Sequence, residues 1–196
     1  MRTHQFHTFI GALSLATLLA CSGGGGPASA PGPTTATALA YVNPMTGTFK
    51  LIKDASSSGP HLVLDLVGPV LGTAMGVCLT ASADSTKVTW VDVPAGGTKS
   101  MLMANGTQFN LGTGVPIQKA VANGDMLQVA LAQKRPTPAV TMNGTLIKIA
   151  LDLKPGAGLA PGSVIALSVD NGRSQVLDGA GGVSPIVVTV GALTAQ

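Results

Sequence analysis

An antiparallel β-sandwich is the fold this sequence predicts, and three observations predict it. Apolar residues alternate with polar or small ones in several short runs, the period of a strand buried on one side. Asn-Gly pairs recur between those runs, the pairing that suits tight hairpin turns. No stretch past residue 20 places apolar residues at helical spacing, and the chain holds 26 glycines and 13 prolines but no glutamate.

The strands follow in order. Leu62, Leu64 and Leu66 alternate with Val63, Asp65 and Val67, so the leucines predict a core face and the others an outer face. Leu127, Val129 and Leu131 alternate with Gln128, Ala130 and Ala132 in the same way. Ile147, Ile149, Leu151 and Leu153 give the cleanest signal, with Lys148, Ala150 and Asp152 on the other side. Ile165, Leu167 and Val169 predict a further strand, and Ile186, Val188 and Val190 a last one. The breaks fall at Asn105-Gly106, Asn123-Gly124, Asn143-Gly144 and Asn171-Gly172. Eight or nine short strands at this spacing make a sandwich.

The N-terminus is organised differently. Arg2, His4 and His7 precede an apolar run from Phe9 to Ala20, too short for a permanent bilayer span of roughly 20 residues and flanked as a secretory signal is. It ends in Leu18-Leu19-Ala20-Cys21, which resembles the lipobox of bacterial lipoproteins. The resemblance implies a signal helix over residues 1–20, cleavage between Ala20 and Cys21, and acyl chains such as palmitate on Cys21. Two or three chains anchor stably where one does not. Ser22, rather than an aspartate, resembles the pattern sorted to the outer membrane, so the expected location is the bacterial cell envelope. From Cys21 to Ala38 the chain is Gly, Pro, Ala, Ser and Thr without charge, a disordered, lipid-anchored linker that would hold the domain on the order of 20–25 Å from the membrane. Residues 39–196 are then one domain.

Charge is scarce. The excess of +3 falls to +2 once Arg2 is removed, and Lys134-Arg135 is the only adjacent basic pair, read as a solvated strand end; nucleic acid is not an expected partner. With Cys21 committed to lipid, Cys78 stands alone and is read as a small buried hydrophobe.

The domain's motifs resemble those of cohesin modules. Gly76 to Val88, with Leu79 and then Ala83-Asp84-Ser85-Thr86-Lys87-Val88, is similar to a cohesin strand and its following turn. Gly144-Thr145-Leu146-Ile147-Lys148-Ile149, Pro161-Gly162-Ser163-Val164-Ile165-Ala166-Leu167 and Pro185-Ile186-Val187-Val188-Thr189-Val190-Gly191 follow in the cohesin order, over residues 40 to 192. The resemblance implies a nine-stranded jelly roll that binds dockerin modules through one flat sheet face. The chain departs from the pattern at Gly76 and Cys78, where better-known members carry polar contacts, and at Ala83, which replaces a turn tyrosine; dockerin recognition is therefore the part that the departures weaken.

Catalytic chemistry finds little support. His61, beside Pro60, reads as an exposed or capping residue, and Asp54, Asp65, Asp84, Asp92, Asp125, Asp152, Asp170 and Asp178 read as strand-edge or turn residues. No nucleophile elbow, Walker loop or metal-ligand spacing is present, and the loops at Asp170-Asn171-Gly172 and Asp178-Gly179 lack the spaced oxygens that calcium needs, so no cofactor or metal is expected. Tyr41, Phe49, Trp90 and Phe109 are too few for an aromatic row that stacks on sugars, and Trp90 shares a face with Val88 as a core residue would. The sequence thus predicts a membrane-anchored, surface-displayed, non-enzymatic assembly module whose partner is another secreted or envelope protein. The alternative is a polysaccharide held in a groove of the same sandwich; ligand-binding residues stay unassigned.

Overall fold

The computed structural model of the protein describes residues 34–196, in which every regular element is a strand. The signal segment, Ala20 and Cys21 lie outside the described residues. In chain order the strands are β1 (Leu39–Val42), β2 (Phe49–Lys53), β3 (His61–Val67), β4 (Thr73–Ala74), β5 (Gly76–Ala83) and β6 (Val88–Val91). Next come β7 (Ala104–Asn105), β8 (Ile117–Asn123), β9 (Met126–Ala132), β10 (Val140–Thr141) and β11 (Thr145–Leu153). The last are β12 (Val164–Ile165), β13 (Leu167–Val169), β14 (Gln175–Leu177), β15 (Val183–Pro185), β16 (Val188–Thr189) and β17 (Ala192–Ala195). Nine of these strands have four or more residues, which is the number the sequence suggests; the other eight are two- or three-residue segments.

Two larger sheets form the sandwich. The first runs β16-β2-β3-β11-β6, with β7 also on β11; the second runs β15-β14-β5-β9-β8, with β13 also on β5. Smaller sheets β1-β17-β12 and β10-β4 complete it, and every pairing is antiparallel except β16 with β2. The core joins the inner faces of both: Leu62, Leu64, Leu66, Ile149 and Leu151 from the first, Val77, Leu79, Leu127, Val129 and Leu131 from the second. Tyr41, Phe49, Trp90 and Phe109 are all buried in that core. Trp90 donates its ring N–H to the Asp125 carbonyl at 2.8 Å, satisfying its one polar atom.

Several readings of the sequence need correction. Ile165, Leu167 and Val169 do not lie on one strand: the chain changes sheets at Ala166, so β12 pairs with β17 and β13 with β5. Ile186, Val188 and Val190 point inward as expected, but only Val188–Thr189 is paired. Asn105-Gly106 is not a hairpin turn, because Asn105 ends β7 and pairs with β11. Asn123-Gly124 does close a hairpin, β8 to β9, with Gly124 at φ 58° as the first central residue. Ala36, Thr37 and Ala38, assigned by composition to the linker, are hydrogen-bonded to the domain through Leu159 and Gln196.

Part of the outer face of the first sheet is covered. Val63 and Ala150, read as outward, are fully buried with Val91 beneath Val93. The connection after β6 lies over them, and Asp92 holds it there. Its Oδ1 accepts from the amides of Met101 (3.0 Å) and Leu102 (2.8 Å), and its Oδ2 from the amide and hydroxyl of Ser100. These bonds, led by the Leu102 amide, hold the Asp92 carboxyl at about 2. They also fix two non-glycine residues, Lys99 (φ 60°) and Leu102 (φ 55°), in the left-handed region that side chains disfavour.

Two outcomes follow. Leu64→Ala, at a site with no exposure, is expected to cost about 2–5 kcal/mol in a urea unfolding experiment. Asp92→Ala is expected to speed amide hydrogen exchange at residues 100–102 by roughly tenfold or more. Because the folded carboxyl titrates below its unfolded value, the clamp contributes fully above roughly pH 4 and is lost as pH falls toward 2.

Candidate functional site

Among the described residues the outer face of the second sheet is open, and strand parity decides what it shows. Val77, Leu79 and Ala81 of β5 fill the core, so Gly76, Cys78 and Thr80 must face outward. Beside them on β9 stand Ala132, Ala130 and Gln128, in register with Gly76, Cys78 and Thr80. On β8, Ile117, Lys119 and Val121 continue the same rows, opposite Ala132, Ala130 and Gln128. On the other side Gln175 and Leu177 of β14 lie opposite Cys78 and Gly76, with Pro185 and Val183 of β15 beyond.

The residues at the middle are small and those at the rim are larger. A groove of about 400 Å³ runs over Gly76, Cys78, Ala130 and Ala132 between Ile117 on one side and Leu177 and Val183 on the other. It continues into a second depression of about 460 Å³ that shares Cys78, Lys119, Ala130 and Gln175 and reaches Val121, Thr80 and Arg173. A Cβ on Gly76 would stand 2.7 Å from the Ala132 Cβ and from the Leu131 carbonyl, so only glycine lets the two strands approach there. Ile117, Val121 and Val183 are 49%, 48% and 60% exposed, apolar side chains spread along one face.

Cys78 is therefore not the buried hydrophobe the sequence suggests; it is a free, half-buried thiol on the floor of the groove. Partial burial pushes its thiol above the ordinary value.

Other candidate residues fall elsewhere. His61, read as exposed, is buried on the first sheet's outer face: Nδ1 bonds Asp152 Oδ1 at 2.6 Å and Nε2 the Val93 carbonyl at 2.8 Å. Asp65 and Asp152 are not edge or turn residues but lie within β3 and β11. Asp84 does cap its turn, accepting from the Thr86 amide and hydroxyl while Lys87 Nζ lies 3.1 Å from it. Asp170 and Asp178 spend Oδ1 on the amides of Gly172, Ala180 and Gly182. Lys134 and Arg135 follow β9, half-buried and exposed. Among the described residues no three His, Cys, Asp or Glu side chains meet as a metal site.

One cluster was not legible in sequence. Lys148 Nζ bonds Asp54 Oδ2 and lies 3.3 Å from Asp65 Oδ1, and Thr145 Oγ1 donates to Asp65 Oδ2 at 3.0 Å. Burial raises the Asp65 carboxyl, against the hydrogen bond from Thr145 and the charge of Lys148. The Lys148 hydrogen bond lowers Asp54, and hydrogen bonds from Ser56 add to this. For Lys148 burial opposes the charge, but the bond to Asp54 and the charge of Asp65 outweigh it and raise the amine. The only sequence signal was a charged residue on each of two strands at outward positions.

No protein-family model matches the sequence, and no curated protein matches it. Solved structures do. The chain is similar to the second type II cohesin module of a cellulosomal adaptor scaffoldin of Acetivibrio cellulolyticus, at TM-score 0.54 and 14% identity over 82% of this chain and 97% of that one. A type II cohesin domain from the same organism's cellulosome gives 0.53 and 15%, over 76% and 94%. The fold is cohesin-like. A third similar structure is the sixth cohesin of that organism's scaffoldin B in complex with a mutant Cel5 dockerin, at 0.50 and 18% over 75% and 97%. In this cohesin-like sandwich the strand carrying Gly76 and Cys78 is central to its sheet.

The raised thiol gives a direct outcome. At pH 7.5 iodoacetamide is expected to label Cys78 in the folded chain about tenfold more slowly than in the same chain in urea, read at the Cys78 peptide by mass spectrometry.

Proposed function

We propose that this chain is a lipid-anchored, surface-displayed, non-enzymatic assembly module that holds a second secreted or envelope protein on the open face of β8-β9-β5-β14-β15. The observation that carries this reading is the asymmetry of the sandwich. On one sheet's outer face the loop held by Asp92 helps to bury Val63, Val91 and Ala150, whereas the other carries an open groove, small-residue in the middle and apolar at its edges. Such a surface suits close approach of another backbone or helix, and a lysine and an arginine at its border would give orientation. The cohesin-like fold supports the choice of a protein partner, since a structurally similar cohesin is found in complex with a dockerin. Which protein class this chain takes is set by its own face, where Gly76 and Cys78 leave room rather than offer polar contacts.

The anchor belongs to the same reading. Cys21, after cleavage behind Ala20, would carry the lipid and keep the module at the bacterial envelope, on the outer membrane if Ser22 is read as its sorting residue. Polysaccharide binding is the less favoured reading, because Tyr41, Phe49, Trp90 and Phe109 are all buried and no aromatic platform faces outward among the described residues.

The test is capture of one protein from the host's secreted and envelope fractions by the wild-type chain, with the same experiment on Ala130→Trp. The substitution fills the groove on an exposed position and is expected to lower retention at least tenfold without loss of the β-sheet spectrum. Equal retention by both would move binding away from this face, and retention on insoluble glycan instead would favour the polysaccharide. Cys21→Ser is expected to release the chain from membranes or to block its processing, read by fractionation.

A further inference from the structure

Lys148, Asp54 and Asp65 form more than an ion pair. Lys148 and Asp65 are register partners on neighbouring central strands, and Asp54 immediately follows β2 on the far side of β3. The three side chains are 25%, 13% and 10% exposed. Asp54 holds its two oxygens differently. Oδ2 meets the Lys148 amine, while Oδ1 accepts from the Ser56 amide at 2.7 Å and from the Ser56 hydroxyl at 2.5 Å. Asp65 Oδ1 is buried, has no hydrogen bond of its own, and stands 3.3 Å from the same amine.

That arrangement contains each part an amide-forming reaction needs: a nucleophile, an acyl carbon whose second oxygen is held by two donors, and a spare carboxylate oxygen at the nitrogen. We infer that Lys148 and Asp54 join in an intramolecular isopeptide bond, with Asp65 carrying the proton and Ser56 stabilising the oxyanion.

The balance is simple. Against the pairing that lowers Asp54 and raises Lys148, one proton passes from the Lys148 ammonium to Asp54 Oδ2, leaving a neutral amine and a neutral acid. Nζ then attacks Asp54 Cγ, and the negative charge gathers on Oδ1 against the Ser56 donors. Asp65 takes a second proton from Nζ and delivers it to the departing oxygen. The C–O bond breaks, water leaves, and an Nζ–Cγ amide with one N–H remains. No oxidant or cofactor enters.

Two physical effects favour the product. Neutralising a poorly hydrated ion pair removes two charges from a site where their desolvation is costly. Holding amine and acyl carbon together makes the encounter unimolecular, which replaces a large part of the activation barrier seen in solution. Burial also raises the Asp65 carboxyl, as suits a group that must bind and release a proton. The bond would tie the end of β2 to β11 across β3, between residues 94 apart in sequence. It is independent of what the open face of the second sheet binds.

The test is a tryptic digest of the denatured full chain, mapped by tandem mass spectrometry. The expected result is one branched peptide that contains Asp54 and Lys148, lighter than its two parts by one water, with no cut after Lys148. Separate, unlinked Asp54 and Lys148 peptides from folded wild-type protein would overturn the inference. Lys148→Arg keeps the charge but removes the nucleophile, and is expected to give only linear peptides. Asp65→Asn preserves shape and is expected to fold, by its β-sheet spectrum, without the link; a link formed at the wild-type level in this variant would refute the role of Asp65.

Discussion

The ladder between β3 and β11 is the constraint on which the rest of the structure depends. Seven register pairs join the strands, and each face of the ladder has its own work. Inward, Leu62 opposite Leu151, Leu64 opposite Ile149 and Leu66 opposite Ile147 supply the centre of the core. Outward, His61 meets Asp152, Val63 meets Ala150 and Asp65 meets Lys148. Cross-strand pairs of this kind are the unit of sheet stabilisation, and a slip of one residue would exchange the two sets and put charges into the core. The bulge between Thr145 and Ile147 ends the regular register just where Lys148 and Thr145 turn toward Asp65.

The two sheets then diverge in how their outer faces are treated. Most polar groups on the first are partly withdrawn from water and paired: His61 with a carboxylate and a carbonyl, Asp92 with three amides and a hydroxyl, Lys148 with two carboxylates. The second sheet leaves its outer rows uncovered and fills their middle with Gly76, Cys78, Ala130 and Ala132, which carry little that needs a partner. A partly covered polar face and an open small-residue face are different physical solutions on one sandwich. The first ties strands and loop together through those pairs, and the second offers a surface whose burial by another molecule would remove apolar area from water at little desolvation cost.

The same contrast explains which residues sequence reasoning found. Only the resemblance to cohesin strands places Gly76 and Cys78 outward, while composition reads Cys78 as a buried hydrophobe; the degree of cover over Cys78 depends on β8, β9 and β14, strands remote in sequence. His61 gave no signal of burial, since its partners Asp152 and Val93 come from other strands and loops. The Lys148 cluster joins Asp54, Asp65 and Thr145, and only the strand order β2-β3-β11 brings them together.

What the sequence by itself determined was the kind of structure. Period-two alternation and Gly-rich breaks commit the chain to strands with an apolar face, because that face is stable only against another sheet, and motif order pointed to the cohesin-like arrangement. What only the tertiary structure decided was which outer face is partly covered and which is open, where Ile165 and Leu167 part to different sheets, and which charges meet. Those are contacts between residues far apart in the chain, set by strand order and loop path, and local pattern carries no information about either.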